Sequence, residues 1–117
     1  CCEIWGHVVN PGEQTMIHTH HEKDSIGLSW VYYPLLPDEK YGGRLRFQMV
    51  SHMQMNNHEI TPRVGRLVIF PSWLNHYTTP NTSADVRISI SGNCKIQDED
   101  YQKVWRDRTS GIHDFYR

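Results

Sequence analysis

The chain has 117 residues, 12 of them basic and 13 acidic, with a formal net charge of -1 and 38% apolar residues, a globular composition without the charge excess of a disordered chain. No stretch approaches the ~20 consecutive apolar residues of a membrane helix, and the balanced charge leaves no overall electrostatic footprint for nucleic acid. At this length a single domain over residues 1–117 is expected, burying roughly 65% of the surface of the unfolded chain.

Cysteine usage points to a reducing compartment. Cys1 and Cys2 are adjacent, Cys94 is distant, and three is an odd number, so no disulfide framework or paired-cysteine zinc site is readable. The sequence opens on Cys-Cys-Glu rather than Met, without the charged-then-apolar layout of a signal peptide. A fragment lacking N-terminal elements is expected.

Short β-rich runs bounded by Pro, Gly and Asn recur along the chain, the pattern of an antiparallel sandwich or barrel. Ile4 to Val9 reads as a first strand, turned at Asn10-Pro11-Gly12. A second strand leads through Thr15 and Ile17 into His18-Thr19-His20-His21, and a third runs from Ile26 to Leu35 and closes at Pro37. The loop from Pro37 to Gly43 feeds a strand from Arg44 to Val50, in which Leu45, Phe47 and Met49 alternate with polar neighbours. The polar segment from Ser51 to Thr61 resists assignment. Arg66 to Phe70 reads as a buried strand ended by Pro71, and Val86 to Ser91 alternates cleanly. Asp98 to Asp107 reads as a short C-terminal helix, with Asp98 as N-cap and Val104 and Trp105 on its apolar side.

Histidines carry the first chemical signal. His18 and His20 stand two apart at a strand end, and alternation puts both on one face, where they can chelate one ion. The competing reading is a pair of polar residues in an exposed loop. Imidazole suits iron, zinc, copper and nickel alike, so spacing alone selects no metal, and the adjacent His21 leaves the register open. His76 follows a hydrophobic strand that ends at Pro71. Beyond it, Arg87, Ser89 and Ser91 share one face of a strand and Val86, Ile88 and Ile90 the other. Either the polar face is a solvated exterior, or it lines a polar barrel interior in which the guanidinium takes a carboxylate bidentately beside a serine hydroxyl.

Taken in order, the His18-x-His20 pair, the Tyr32-Tyr33 strand, the Gly42-Gly43-x-Leu45 strand start, the segment from Gly65 through Phe70-Pro71-Ser72 to His76, and Arg87-Ile88-Ser89 resemble the 2-oxoglutarate and iron(II)-dependent oxygenase superfamily. The chain is similar to its prolyl-hydroxylase-like branch, and most to small members carried by bacteria and their phages. The resemblance runs roughly from Trp5 to Asn93. It implies an all-β double-stranded β-helix, a jelly-roll or cupin-like barrel, and a cytoplasmic dioxygenase acting as a hydroxylase, for which no residue pattern selects a primary substrate or an oligomeric state.

Carried over by position, the resemblance implies that His18 and His76 ligate Fe(II), that Arg87 binds the distal carboxylate of 2-oxoglutarate with Ser89 beside it, and that the Tyr33 hydroxyl supports the same carboxylate or else packs the core. Dioxygen would be the co-reactant, and ascorbate could serve as an optional addition. Trp30 and Trp73 are expected in the core. Where the superfamily usually has Asp or Glu two residues after the first histidine, this sequence has His20. Either His20 completes a three-histidine face, the favoured reading, or Asp24 returns as the carboxylate from about 13 Å along an extended chain, with Glu22 a weaker candidate. Two rivals remain: a cupin-type metal protein, isomerase or dioxygenase, working without 2-oxoglutarate, since Gly12, His18, His20 and Asp24 resemble the first cupin motif; and a non-catalytic barrel serving as a binding module, with structural zinc.

Overall fold

A computed structural model describes residues 2–20, 27–38, 42–51, 53–95 and 113–115. Eight strands are seen among them: β1 (Cys2–Val9), β2 (Gly27–Leu35), β3 (Leu45–Ser51), β4 (Gln54–Ile60), β5 (Leu67–Pro71), β6 (Asn75–Thr78), β7 (Arg87–Lys95) and β8 (His113–Phe115). They form a five-stranded sheet in the order β1-β7-β2-β5-β8 and a three-stranded sheet in the order β4-β3-β6, with every pairing antiparallel. This is a double-stranded β-helix of the expected all-β class. The helix expected over 98–107 lies outside the described residues.

Alternation decides what each strand buries. On β2 the residues Ser29, Val31 and Tyr33 point inward, and on β5 Val68 and Phe70 do so. Leu45 and Phe47 of β3 meet them from the smaller sheet, and the rings of Phe47 and Phe70 cross at 4.9 Å. Val31, Tyr33, Leu45, Phe47, Ile60, Val68, Phe70 and Leu74 make one continuous core between the layers. Fully burying a side chain of this size is worth roughly 1.5–3 kcal/mol, so this stripe holds the two sheets face to face.

β7 breaks the usual rule. Its isoleucines, Ile88 and Ile90, are only partly covered, whereas Arg87 and Ser89 are buried at 3% and 4% exposure. The polar interior is therefore the correct reading of this strand, and Val86, just before it, is 39% exposed.

Several expected boundaries shift. Segment 15–18 is no regular strand: it is tied to β6 by an isolated His18–His76 bridge and by bonds between Thr15 and Thr78. The unassigned polar stretch contains β4, an outer strand of its sheet whose residues from Gln54 to Glu59 are all exposed. Such a strand lacks the one-sided apolar alternation by which strands are recognised. Trp73 is not core: it sits at the turn between β5 and β6 with 38% of its surface exposed. Trp30 is half-buried and lies against Gly92, where an added Cβ would stand 2.4 Å from its ring.

Candidate metal centre and its cavity

His76 lies on β6, and β6 pairs with β3 so that His76 is opposite Phe47. On its other side the His18 bridge exchanges both backbone bonds, His18 N to His76 O at 3.0 Å and His76 N to His18 O at 3.1 Å. Two residues on, the His20 N–H donates to the Ser72 carbonyl at 2.9 Å, which clips the extended segment to the end of β5. The turn at Pro71–Leu74 thus serves two purposes: it starts β6 in phase for His76 and it anchors His20.

The three imidazoles converge. One ligand-competent nitrogen from each of His18, His20 and His76 lies within 4.8 Å of the others. The ring of His76 stacks on that of His20 at 5.0 Å and lies 4.3 Å from that of His18. Backbone carbonyls fix the orientation: His18 Nδ1 donates to Met16 O at 2.6 Å and His76 Nδ1 to Leu74 O at 2.9 Å. With the proton held on Nδ1, each Nε2 keeps its lone pair for a ligand, as metal-binding histidines are normally arranged. His18 Nε2 and His20 Nε2 face each other at 3.2 Å. Two nitrogens bound at ~2.1 Å to one ion stand roughly 3.0–3.4 Å apart for angles of about 90–109°, so this pair already has the spacing of a coordination shell.

Burial favours neutral rings at His76 and His20. His76, 5% exposed, is held down to about 4, first by burial and then by His18 and His20, against the opposing pull of the Leu74 carbonyl. His20 is also lowered, by burial foremost and by His18 and His7, with Glu3 opposing. A ligating imidazole must be deprotonated, and these two are so at neutral pH. Asp24 and Glu22, the acidic alternatives to His20, lie outside the described residues.

The same cavity is lined by Arg87, Ser89 and Tyr33. Arg87 is cradled by the strand start at Gly42-Gly43: its Nη1 donates to the Gly43 carbonyl, and a Cβ on Gly43 would stand 2.7 Å from that nitrogen. Gly43 also has a φ of +67°, a conformation that side-chain-bearing residues rarely adopt. Arg87 Nε is buried with no hydrogen-bond partner, and no carboxylate among the described residues pairs with the guanidinium. Burial lowers its proton affinity and the neighbouring Tyr33 phenol acts the other way. A buried cation left without an anion is costly, and arginine stays charged regardless. An anionic ligand would relieve that cost.

Sequence reasoning missed three contributors. Gly43 was visible as half of a Gly-Gly pair, but its function as the seat of Arg87 depends on a contact between distant strands. Trp5 and His7, on the inward face of β1, also line the cavity. Their alternation with Val9 was the available signal.

Residues 3–93 match the family described as "Putative 2OG-Fe(II) oxygenase", and the chain belongs to that family. The family implies Fe(II) and 2-oxoglutarate, and the three-histidine cluster fits a metal site. Among solved structures, the chain is similar to a prolyl-4-hydroxylase from Pseudomonas putida, with 24% identity and a TM-score of 0.68 over 82% of this chain and 53% of that one. It thus spans about half the length of that hydroxylase. A match to ToxT from Vibrio cholerae has 8% identity and a TM-score of 0.47, over 99% of this chain and 42% of that one, too low to carry an argument. No curated protein matches the sequence.

Proposed function

We propose that this protein is an iron(II) and 2-oxoglutarate-dependent dioxygenase that hydroxylates its substrate, with His18, His20 and His76 as metal ligands and Arg87, assisted by Ser89 and Tyr33, as the seat of the distal carboxylate. One observation carries the reading: a buried guanidinium without a carboxylate partner among the described residues lines the same cavity as three converging imidazoles. A dianionic keto acid satisfies both ends of such a cavity.

Iron(II) bound there supplies the oxidation, in which dioxygen and 2-oxoglutarate give succinate, carbon dioxide and a hydroxylated substrate. The chain's own work is placement. Carbonyl-anchored His18 and His76 hold their lone pairs toward one point, and Arg87 fixes the far end of the co-substrate through charge-assisted bonds. Phe70, whose ring lies 4.7 Å from that of His76, keeps one side of the centre dry. A three-imidazole shell leaves the full dipositive charge on the ion, which strengthens its hold on an anionic chelator relative to a shell containing a carboxylate.

A cupin without 2-oxoglutarate would leave Arg87 with no ligand to bind, and a purely structural zinc site would leave its buried charge without a carboxylate partner among the described residues. The test is turnover: Fe(II)-dependent formation of succinate from 2-oxoglutarate, expected in the native protein and lost in His76→Ala and in Arg87→Ala. Fe(II)-loaded native protein that never consumes 2-oxoglutarate, with any substrate or uncoupled, would defeat the proposal.

A further inference from the structure

β1 sends two side chains into the cavity for which the proposed function has no use, Trp5 and His7. An indole N–H can only donate. Trp5 Nε1 donates to His7 Nε2 at 2.5 Å, so that nitrogen carries a lone pair and the ring's single proton sits on Nδ1. Burial first, then the positive charge of Arg87, opposes a second proton on the ring. His7 is thus a neutral imidazole with a fixed tautomer and one N–H still to offer.

Strand register says where it stands. Across β1 and β7, Val9 is opposite Arg87, His7 opposite Ser89 and Trp5 opposite Ser91. The Trp5 ring lies 5.4 Å from that of His20. Two residues along a strand advance about 7 Å, so His7 lies one such step from Arg87 on the side of the histidine triad. A five-carbon dicarboxylate whose far end rests on Arg87 brings its keto-acid end to that level.

We propose that His7 is a further co-substrate-binding residue, donating its Nδ1–H to the keto-acid end of 2-oxoglutarate, and that Trp5 is the positioning residue that locks His7 in the donating tautomer. This rests on the cavity being a 2-oxoglutarate site. His7 is no member of the metal cluster, so its contribution separates from metal binding. It separates from that of Arg87 too, because the two residues address opposite ends of one ligand.

Calorimetry on the Mn(II)-loaded protein tests this, with 2-oxoglutarate and with 2-oxobutyrate, a keto acid lacking the distal carboxylate. Mn(II) shares the oxygen and nitrogen preferences of Fe(II) and gives binding without turnover. His7→Ala is expected to weaken both ligands by the same factor, about tenfold or more for a lost bond to a charged group, with Mn(II) affinity unchanged. His7→Asn, which places an N–H near the position of Nδ1, restores most of that loss, and Trp5→Phe reproduces part of it. Arg87→Ala weakens 2-oxoglutarate alone, down to the level of 2-oxobutyrate. A His7→Ala protein that binds both ligands as the native one does, or that loses only 2-oxoglutarate, overturns the role of His7. Native protein that binds no 2-oxoglutarate, or an Arg87→Ala protein that binds it unimpaired, overturns the co-substrate reading instead.

Discussion

Gly43 and Arg87 occupy each other's space: the carbonyl of the one accepts from Nη1 of the other, and a single methyl group on Gly43 would stand 2.7 Å from that nitrogen. Gly43→Ala therefore meets two penalties. The positive φ costs roughly 1–2 kcal/mol for any L-residue with a side chain, and the guanidinium is pushed out of its seat. The expected outcome is a lower Tm together with at least tenfold weaker 2-oxoglutarate binding and unaltered metal affinity, measured by calorimetry on the folded fraction. Unaltered 2-oxoglutarate binding would remove Gly43 from the site.

Replacing Arg87 by methionine separates ligand binding from folding. Removing a buried cation that has no carboxylate partner among the described residues relieves its desolvation cost, although here the bond to the Gly43 carbonyl is lost as well. We expect an Arg87→Met protein of native or higher Tm whose affinity for 2-oxoglutarate falls to that for 2-oxobutyrate. A large drop in Tm would mean that Arg87 is there chiefly for the fold.

The triad predicts a pH dependence for the metal-free protein. His76 takes a proton near 6.5 when unfolded and only at about 4 when folded, so the unfolded chain binds more protons across that window and stability falls as pH is lowered through it. Above pH 6.5 both states are neutral and the contribution is flat. The full difference is on the order of 3 kcal/mol, and the lowered affinity of His20 acts in the same direction. Urea titrations between pH 7 and 4 in the presence of a chelator should show the loss, and His76→Gln should flatten most of it. Equal slopes in the two proteins would rule out His76 as the source.

The ligand set predicts metal binding that responds unequally to substitution. His76→Ala removes the imidazole contributed by the smaller sheet and should cost at least a hundredfold in affinity for Mn(II) or Co(II). His20→Asp restores the carboxylate usual in the superfamily and should retain binding, because aspartate oxygen is an equally good donor for these ions. Titration by calorimetry or Co(II) absorption checks both. Native affinity in His76→Ala would place the metal elsewhere.

Much of this was legible in the residues, for a physical reason: strands that bury one face advertise it. Leu45, Phe47 and Val68 alternate as core residues must, and Arg87-Ile88-Ser89 alternates just as cleanly. Alternation shows that two faces differ but not which one is inside, so β7 admitted two readings until Val9, Tyr33 and Gly43 were placed around Arg87. β4 was illegible because an outer strand exposed on both sides needs no pattern. Trp73 misled because size predicts burial only on average, and at a turn its ring has no opposing layer. The histidines were readable as a set only through resemblance, since nothing local to His76 indicates that a backbone bridge brings His18 alongside it.

That bridge has a wider consequence. An ion held by positions 18 and 76 is a stitch between an irregular N-terminal run and a strand far along the chain, tethered otherwise by a few backbone bonds. Metal supply and the integrity of the barrel's rim become one variable. If these positions hold iron as proposed, the metal-free protein should open first at this seam, so that its lifetime in a protease-rich environment would record how much iron it has met.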